Sequence, residues 1–223
     1  MINKVVIVGA KRTPIASFQG HFATVSAAEL GAAAIRGAIE QSGLAPDSVD
    51  DVLMGCVLPA GIGQAPARIA ARKAGIPTSA GAITLNKACG SAMKTMQIGH
   101  DQILAGSSRV VVAGGMENMT LAPYLLPKAR GGYRMGHGEV LDHMFFDGLQ
   151  NPDDSLMMGV FGERCAEKYN FTREQQDAFA VSSIERALRA MDSEFQDEIS
   201  PVTVRSRRGE TVISEDQEPP SCN

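Results

Sequence analysis

Four short apolar runs spaced by turn and helix signals constrain this chain more than any other feature. KVVIVGA, residues 4–10, is β-branched and apolar throughout, the mark of a strand buried on both faces. DVLMGCVL at 51–58, AITL at 82–85 and RVVVA at 109–113 read as three more strands. Between the first two, Ser26-Ala27-Ala28-Glu29 is a capping box that opens a helix. Along that helix Leu30, Ala34 and Ala38 recur every four residues, and Gly43 is placed to stop it. A short helix is expected over 67–74, and a longer helical pattern follows Cys89. Strands that alternate with helices are joined by crossovers, so the expected fold class is α/β with an open, mostly parallel sheet.

The pattern changes near residue 120. Residues 121–155 are rich in Gly, Pro, Met, His and aromatics and show little periodicity; a loop of that length is usually functional. Thr172 and Gln175 then form a second capping box, with Ala180, Ile184, Ala187, Leu188 and Met191 marking one helix face. Residues 199–214 read as a hairpin turning at Arg207-Arg208-Gly209-Glu210, and the tail EDQEPPSCN carries no structure signal. Gly61-Ile62-Gly63-Gln64-Ala65-Pro66 begins like a dinucleotide loop but has proline where the third glycine belongs, and reads as a turn. Gly114-Gly115 is either a plain strand exit or flexible backbone beside a site.

At 223 residues the chain can bury a real core as one large domain or two small ones. Its net charge of -4 comes with scattered lysines and arginines, which argues against a nucleic-acid surface. Cys56, Cys89, Cys165 and Cys222 form no CxxC pair and have no histidine at metal spacing, so neither a disulfide framework nor a metal site is expected. Free thiols fit a reducing compartment, and the expected location is cytoplasmic. The run Val5-Val6-Ile7-Val8 is too short for a signal sequence, and no stretch approaches a membrane span.

Cys89 stands where the third strand hands over to a helix and is followed at once by Gly90 and Ser91. A helix N-terminus offers unpaired N–H groups and the positive end of the helix dipole, both of which favour thiolate over thiol. The backbone N–H of Cys89 is itself a potential donor to an oxyanion. Cysteine is also among the most buried residue types, so position alone leaves nucleophile and filler evenly balanced. Cys56 in a strand run, Cys165 in an amphipathic segment and Cys222 in the tail are weaker candidates. Met93, Met96, His100 and Ile103 share one face of the following helix. His100 is about 16 Å along that helix from Cys89, too far to activate it, and is read as a hydrogen-bonded core residue. His21, His137 and His143 fall in loops, where surface placement is expected.

Several stretches together closely resemble the thiolases, above all the acetyl-CoA acetyltransferase branch. They are the opening VVIVGAKRTPIASFQG, Gly63-Gln64-Ala65-Pro66-Ala67-Arg68, Asn86-Lys87-Ala88-Cys89-Gly90-Ser91 and Ala113-Gly114-Gly115-Met116-Glu117-Asn118-Met119, with GHGEVLDHMFFDGL and FTREQQDAFAVSS further on. The resemblance implies the N-terminal half of a thiolase-like fold, an α/β domain at 1–120 with a mixed, mostly parallel sheet, followed by an incomplete loop domain at 121–223 that covers coenzyme A. It implies that Cys89 is the acylated nucleophile, with acetyl-CoA and CoA as substrates and no permanently bound cofactor. Leu149 and Met158 match positions lining the pantetheine channel, and Met157 stands where many short-chain members carry a pantetheine-contacting histidine.

The family's second α/β half, with its Gly-His-Pro motif and second catalytic cysteine, has no counterpart here, so the chain resembles an N-terminal fragment. The nucleophile's helix lies between the two halves in that fold, and here its second face is expected to lack a cover. The expected partners are acyl-CoA substrates and either further copies of the chain or a missing C-terminal half, with neither nucleic acid nor membrane. Two other readings stand beside the thiolase: a non-catalytic acyl-CoA-binding or assembly fragment, and a ketoacyl synthase-like condensing enzyme. The methionine-rich loop region and Gly115-Met116-Glu117 disfavour the last.

Overall fold

The computed structural model describes residues 4–207 and 209–221. Arg208 of the expected hairpin turn and Cys222 lie outside the described residues.

Helix α1 (Ala27–Ser42) begins at Ser26, whose Oγ accepts the Glu29 N–H while the Glu29 carboxylate accepts the Ser26 N–H, the expected capping box. It ends at Gly43, which adopts φ +68°, a left-handed conformation that costs glycine nothing. Strand β1 (Asp51–Gly55) is the middle of a parallel sheet of order β2-β1-β3, with β2 at Gly81–Leu85 and β3 at Val111–Gly115. The first of these strands is three residues shorter than DVLMGCVL suggests, and the last starts two residues later than RVVVA suggests. The carboxylate of Asp50 accepts the N–H groups of Arg109 and Val110, which makes that entry a turn rather than ladder.

Helix α2 (Pro66–Lys73) starts on proline, whose missing N–H would have no helical partner there, and the Ala67 N–H donates to Thr84 Oγ1 of β2. Helix α3 (Ser91–Leu104) covers the other face of the sheet. Strand alternation sorts the layers: Val52 and Met54 of β1 pack with α1 and α2, whereas Leu53 comes close to Gly99 of α3. The main core lies between the sheet and the α1–α2 layer, with Ala28, Ala32, Ile35, Val52, Met54, Ala67 and Ala70 almost wholly buried. The apolar positions of α1 are mostly small, so α1 and α2 pack closely on one another.

Residues 4–10 do not form the expected first strand. They carry no ladder, and Val6, Ile7 and Val8 are 68, 82 and 56% exposed. The run lies against the C-terminal part of α1, with Gly9 tight on the Ala38 carbonyl and the Ala10 N–H donating to Gln41 Oε1. A cavity of about 650 Å³ lies between this run and β3, so the strand-forming sequence has no partner within hydrogen-bonding reach.

Residues 121–157 hold two short paired strands, β4 (Tyr124–Leu125) and β5 (Leu141–Asp142), and a wide helical turn at Met144–Leu149. Helix α4 (Met158–Tyr169) and helix α5 (Arg173–Met191) follow, the second opening on the expected Thr172–Gln175 capping box. Neither buries a residue, so the apolar face read along α5 packs only in part. After α6 (Glu194–Glu198), the hairpin of β6 (Val202–Ser206) and β7 (Gly209–Ile213) packs Val202, Val204 and Ile213 against Phe22, Leu30 and Ala33.

The tail is not idle, in contrast to its sequence. Asp216 is buried and accepts two hydrogen bonds from the Arg12 guanidinium at 2.8 and 3.0 Å, and Gln217 Oε1 accepts the N–H groups of Ser17 and His21. Arg12 also pairs with Glu198 at 2.6 Å and lies 4.5 Å over the Phe195 ring. Burial works against ionisation of Asp216, but the Arg12 hydrogen bonds, the Ile15 N–H and the arginine charge hold its carboxyl below the usual value.

Candidate active site

Cys89 is exposed and sits between the carboxyl end of β2 and the first turn of α3. This settles one half of the choice left open by position alone: the thiol is not core filling. A set of local bonds fixes the turn. Asn86 Oδ1 accepts the Ala88 N–H at 2.9 Å, and the Ser91 hydroxyl accepts the Lys87 N–H at 2.8 Å and donates to the Ala88 carbonyl at 2.6 Å. Ala88, directly before the cysteine, has φ +46°, a left-handed conformation disfavoured for a residue with a Cβ. Strain held at one residue by three bonds around it is the usual signature of a functional turn.

The start of α3 sits tightly on the sheet. A Cβ on Gly55 would lie 2.6 Å from Ser91 Cβ, and one on Gly115 would lie 3.0 Å from Ala92 Cβ. Gly115 is the last residue of β3 and stands at the strand's exit, where its missing side chain lets α3 approach. Thr95 is fully buried and donates to the Gly114 carbonyl at 3.0 Å, bonding the second turn of α3 to the same strand. These contacts set Cys89 over the carboxyl ends of the parallel strands, where open α/β sheets place their sites. No side chain caps α3, and its first amides are held by the backbone turn before it, the Gly90 N–H donating to the Lys87 carbonyl and the Ser91 N–H to the Ala88 carbonyl.

The remaining site residues lie on the same rim. Glu117, just beyond β3, accepts the Val57 and Leu58 N–H groups at 2.7 and 3.3 Å, and Asn86 Nδ2 donates to the Val57 carbonyl at 3.4 Å. The loop after β1 is thereby joined to the Cys89 turn. The same loop meets the 143–149 segment: Gly148 packs on Leu58, and the Ala60 N–H donates to Nε2 of His143 at 3.4 Å. His143 is buried and holds Asp147 through Nδ1 at 2.5 Å. It thus anchors this segment and is not the surface loop histidine suggested by its position in the sequence. Leu149 ends the segment and is half-buried; a bridge between Gln150 and Met157 brings Met157 and the exposed Met158 beside it. Leu149, Met157 and Met158 do not line the 650 Å³ cavity, and neither does Cys89.

A second histidine expectation changes. His100 is exposed, its Nδ1 3.1 Å from Asp101, so it is not a core histidine. Met93 and Met96 of the same face are 65 and 48% exposed, which fits the expected uncovered face of α3. Cys56 is buried just past β1, and burial, with the Glu117 charge beside it, pushes its thiol up to about 12. The positioning roles of Ser91, Asn86, Thr95 and Glu117 were missed. Asn86 and Ser91 act within the turn, through bonds to residues two to four positions away, whereas Thr95 and Glu117 act across elements distant in sequence.

The family model for the thiolase N-terminal domain matches residues 5–222. An acetyl-CoA acetyltransferase from Pseudomonas aeruginosa is 50% identical over 220 residues, covering 98% of this chain and 56% of that protein. A probable acetyl-CoA acyltransferase from Staphylococcus aureus is 45% identical over 213 residues, covering 95% and 54%. The crystal structure of the Bacillus anthracis acetyl-CoA acetyltransferase superposes with a TM-score of 0.91 at 38% identity, over 96% of this chain and 54% of that one. The chain thus spans about half the length of the relatives it matches.

Proposed function

Since the chain belongs to the thiolase family, we propose that it carries the acylated nucleophile, Cys89, of an acyltransferase that forms or cleaves acetoacetyl-CoA or another 3-ketoacyl-CoA. The observation that carries this reading is the exposed thiol on the strained Ala88 turn, at the uncapped start of α3 and over the carboxyl ends of the sheet. The Cys89 thiolate attacks the thioester carbonyl, and the backbone N–H of Cys89 is assigned as a donor to the oxyanion that forms. The carbon–sulfur bond to coenzyme A then breaks, coenzyme A leaves with a proton, and the acyl group stays on Cys89. In the second stage the α-carbanion of an acetyl-CoA attacks this acyl group and expels the Cys89 thiolate, giving the 3-ketoacyl-CoA. Thiolysis is the reverse.

Leu149, Met157 and Met158 are assigned to the pantetheine arm because the His143–Asp147 anchor and the Gln150–Met157 bridge hold them together on one rim. No residue described here is assigned the α-proton abstraction. His143 is engaged by Asp147 and Ala60, and His100 lies toward the far end of α3. That absence favours, as a second reading, a chain that binds acyl-CoA without turning it over alone. Its exposed thiols fit a reducing, cytoplasmic setting, and among the described residues no helix is long and apolar enough to cross a membrane.

Intact-mass spectrometry after incubation with acetyl-CoA tests the first stage. An acetyl adduct is expected on the chain and is lost in Cys89→Ala. No adduct, even with the C-terminal half of a relative supplied, would sink the acyl-transfer reading; coenzyme A binding without an adduct would favour the second.

A further inference from the structure

Three strand exits converge on one carboxylate. β1 and β3 leave the sheet side by side, Gly55 opposite Gly115, and Glu117 follows two residues after β3 ends. Its Oε2 accepts the Val57 N–H at 2.7 Å, and its Oε1 accepts the Leu58 N–H at 3.3 Å and the Cys56 thiol at 3.6 Å. Burial and the carboxylate's own charge push that thiol up to about 12, so it keeps its proton to donate. Three donors meeting two oxygens need a group that only accepts, which a carboxylate is and a primary amide is not. The loop held in this way, residues 56–60, has a contact on either side. Toward the nucleophile, the Cys56 N–H donates to the Leu85 carbonyl at the end of β2. The Val57 carbonyl accepts from Asn86 Nδ2, and Asn86 Oδ1 holds the Ala88 N–H. Toward the Met144–Leu149 segment, Leu58 lies against Gly148 and the Ala60 N–H donates to His143. Among the described residues, the side-chain bonds of Glu117 all go to this loop.

We propose that Glu117 is a positioning residue of the acyl-transfer site, its carboxylate setting the Cys89 turn and the Met144–Leu149 segment together through the loop between them. The inference rests on the acyl-transfer reading above. Side chains that touch the reactants keep one geometry only where further bonds behind them fix it. A shift of about 1 Å between a nucleophile and its bound substrate costs on the order of a hundredfold in rate. Asn86 and His143 each serve one wall of the site, whereas Glu117 stands where a single change moves both. Glutamine in its place keeps the volume but turns its NH2 group toward a backbone N–H in either orientation, that of Val57 or that of Leu58. The loop then loses one bond and leaves a donor unpaired.

The test measures coenzyme A affinity by calorimetry and the rate of acetyl transfer to Cys89 at saturating acetyl-CoA by intact mass. Glu117→Gln should lose about tenfold or more in both. Asn86→Ala should lose more in rate than in affinity, and His143→Gln more in affinity than in rate. A Glu117→Gln protein that is merely less stable, with both readouts unchanged, overturns the proposal, and so does a loss in one readout alone. If that variant does not fold, Glu117→Asp decides, since it keeps an acceptor-only group one methylene shorter. Losses in both readouts then sustain the proposal, and a loss in one or neither overturns it. A parent chain that takes no acetyl group counts against the acyl-transfer reading, and hydrogen exchange at residues 87–91 then replaces the rate. The positioning of both walls stands if Glu117→Gln speeds that exchange and weakens coenzyme A binding together, and falls otherwise. A parent that binds no coenzyme A overturns the proposal along with the pantetheine assignment.

Discussion

The two helical layers that flank the same sheet differ sharply. On one side α1 buries Ala27, Ala28, Ala32 and Ile35 against α2 and the sheet, and Leu30 and Ala33 against the β6–β7 hairpin. On the other side α3 buries only Ser91, Thr95 and Gly99, the positions that touch the sheet, and leaves Met93 and Met96 exposed. Both helices carry enough apolar residues to be core helices. The difference lies in what covers them. The closed layer stores stability, and the open layer presents Cys89 exposed at its head.

The largest expected contrast between the layers is thiol reactivity. Cys56 is sealed in the α1–α2 core with its thiol pushed up to about 12, so it stays a thiol at pH 8. Iodoacetamide labelling followed by peptide mapping should consume Cys89 while Cys56 stays unmodified until the protein unfolds; equal rates would erase the distinction. Urea denaturation should show the same asymmetry in stability. Ile35→Ala, at a fully buried site, is expected to cost about 2–5 kcal/mol, whereas Met93→Ala should fall within about 0.5 kcal/mol of the parent.

Asp216→Asn should come next, at about 1–3 kcal/mol, since it weakens the paired bonds to Arg12 that hold the tail against the loop after residue 12. The folded carboxyl is held below its ordinary value, so its stabilising contribution is whole above the unfolded pKa of about 3.9. That contribution disappears as the pH falls through this value toward the lower folded one. The stability difference between parent and variant should therefore shrink on acidification below about pH 4; a difference independent of pH would contradict this pairing. The smallest effects concern the two capping boxes. Ser26→Ala should cost about 1 kcal/mol because α1 belongs to the core, while Thr172→Ala should cost under about 0.5 kcal/mol in global unfolding because α5 buries nothing.

Much of this was legible from local chemistry. Capping at Ser26 and Thr172, the stop at Gly43, the short helix expected over 67–74 and the hairpin near residue 207 each depend on side chains within a few residues of the backbone they govern. Cys89 was placed correctly at a strand-to-helix turn for the same reason. Residues 4–10 and the tail were misread because their fates are decided at long range. KVVIVGA has every intrinsic feature of a strand, yet a strand exists only where an edge is available to pair with it. Asp216 looks like a residue of an acidic tail until Arg12, far away in sequence, meets it.

The sequence by itself determined the α/β alternation, the helix ends and the identity of the thiol at the head of α3, because propensity, capping and turn chemistry act over a few bonds. Only the tertiary structure decided that this thiol is exposed while Cys56 is sealed, that Glu117 ties the loop after β1 to the rim around it, and that β3 keeps an open edge. Burial and strand pairing are properties of surfaces brought together, and no local pattern states which surface finds a partner.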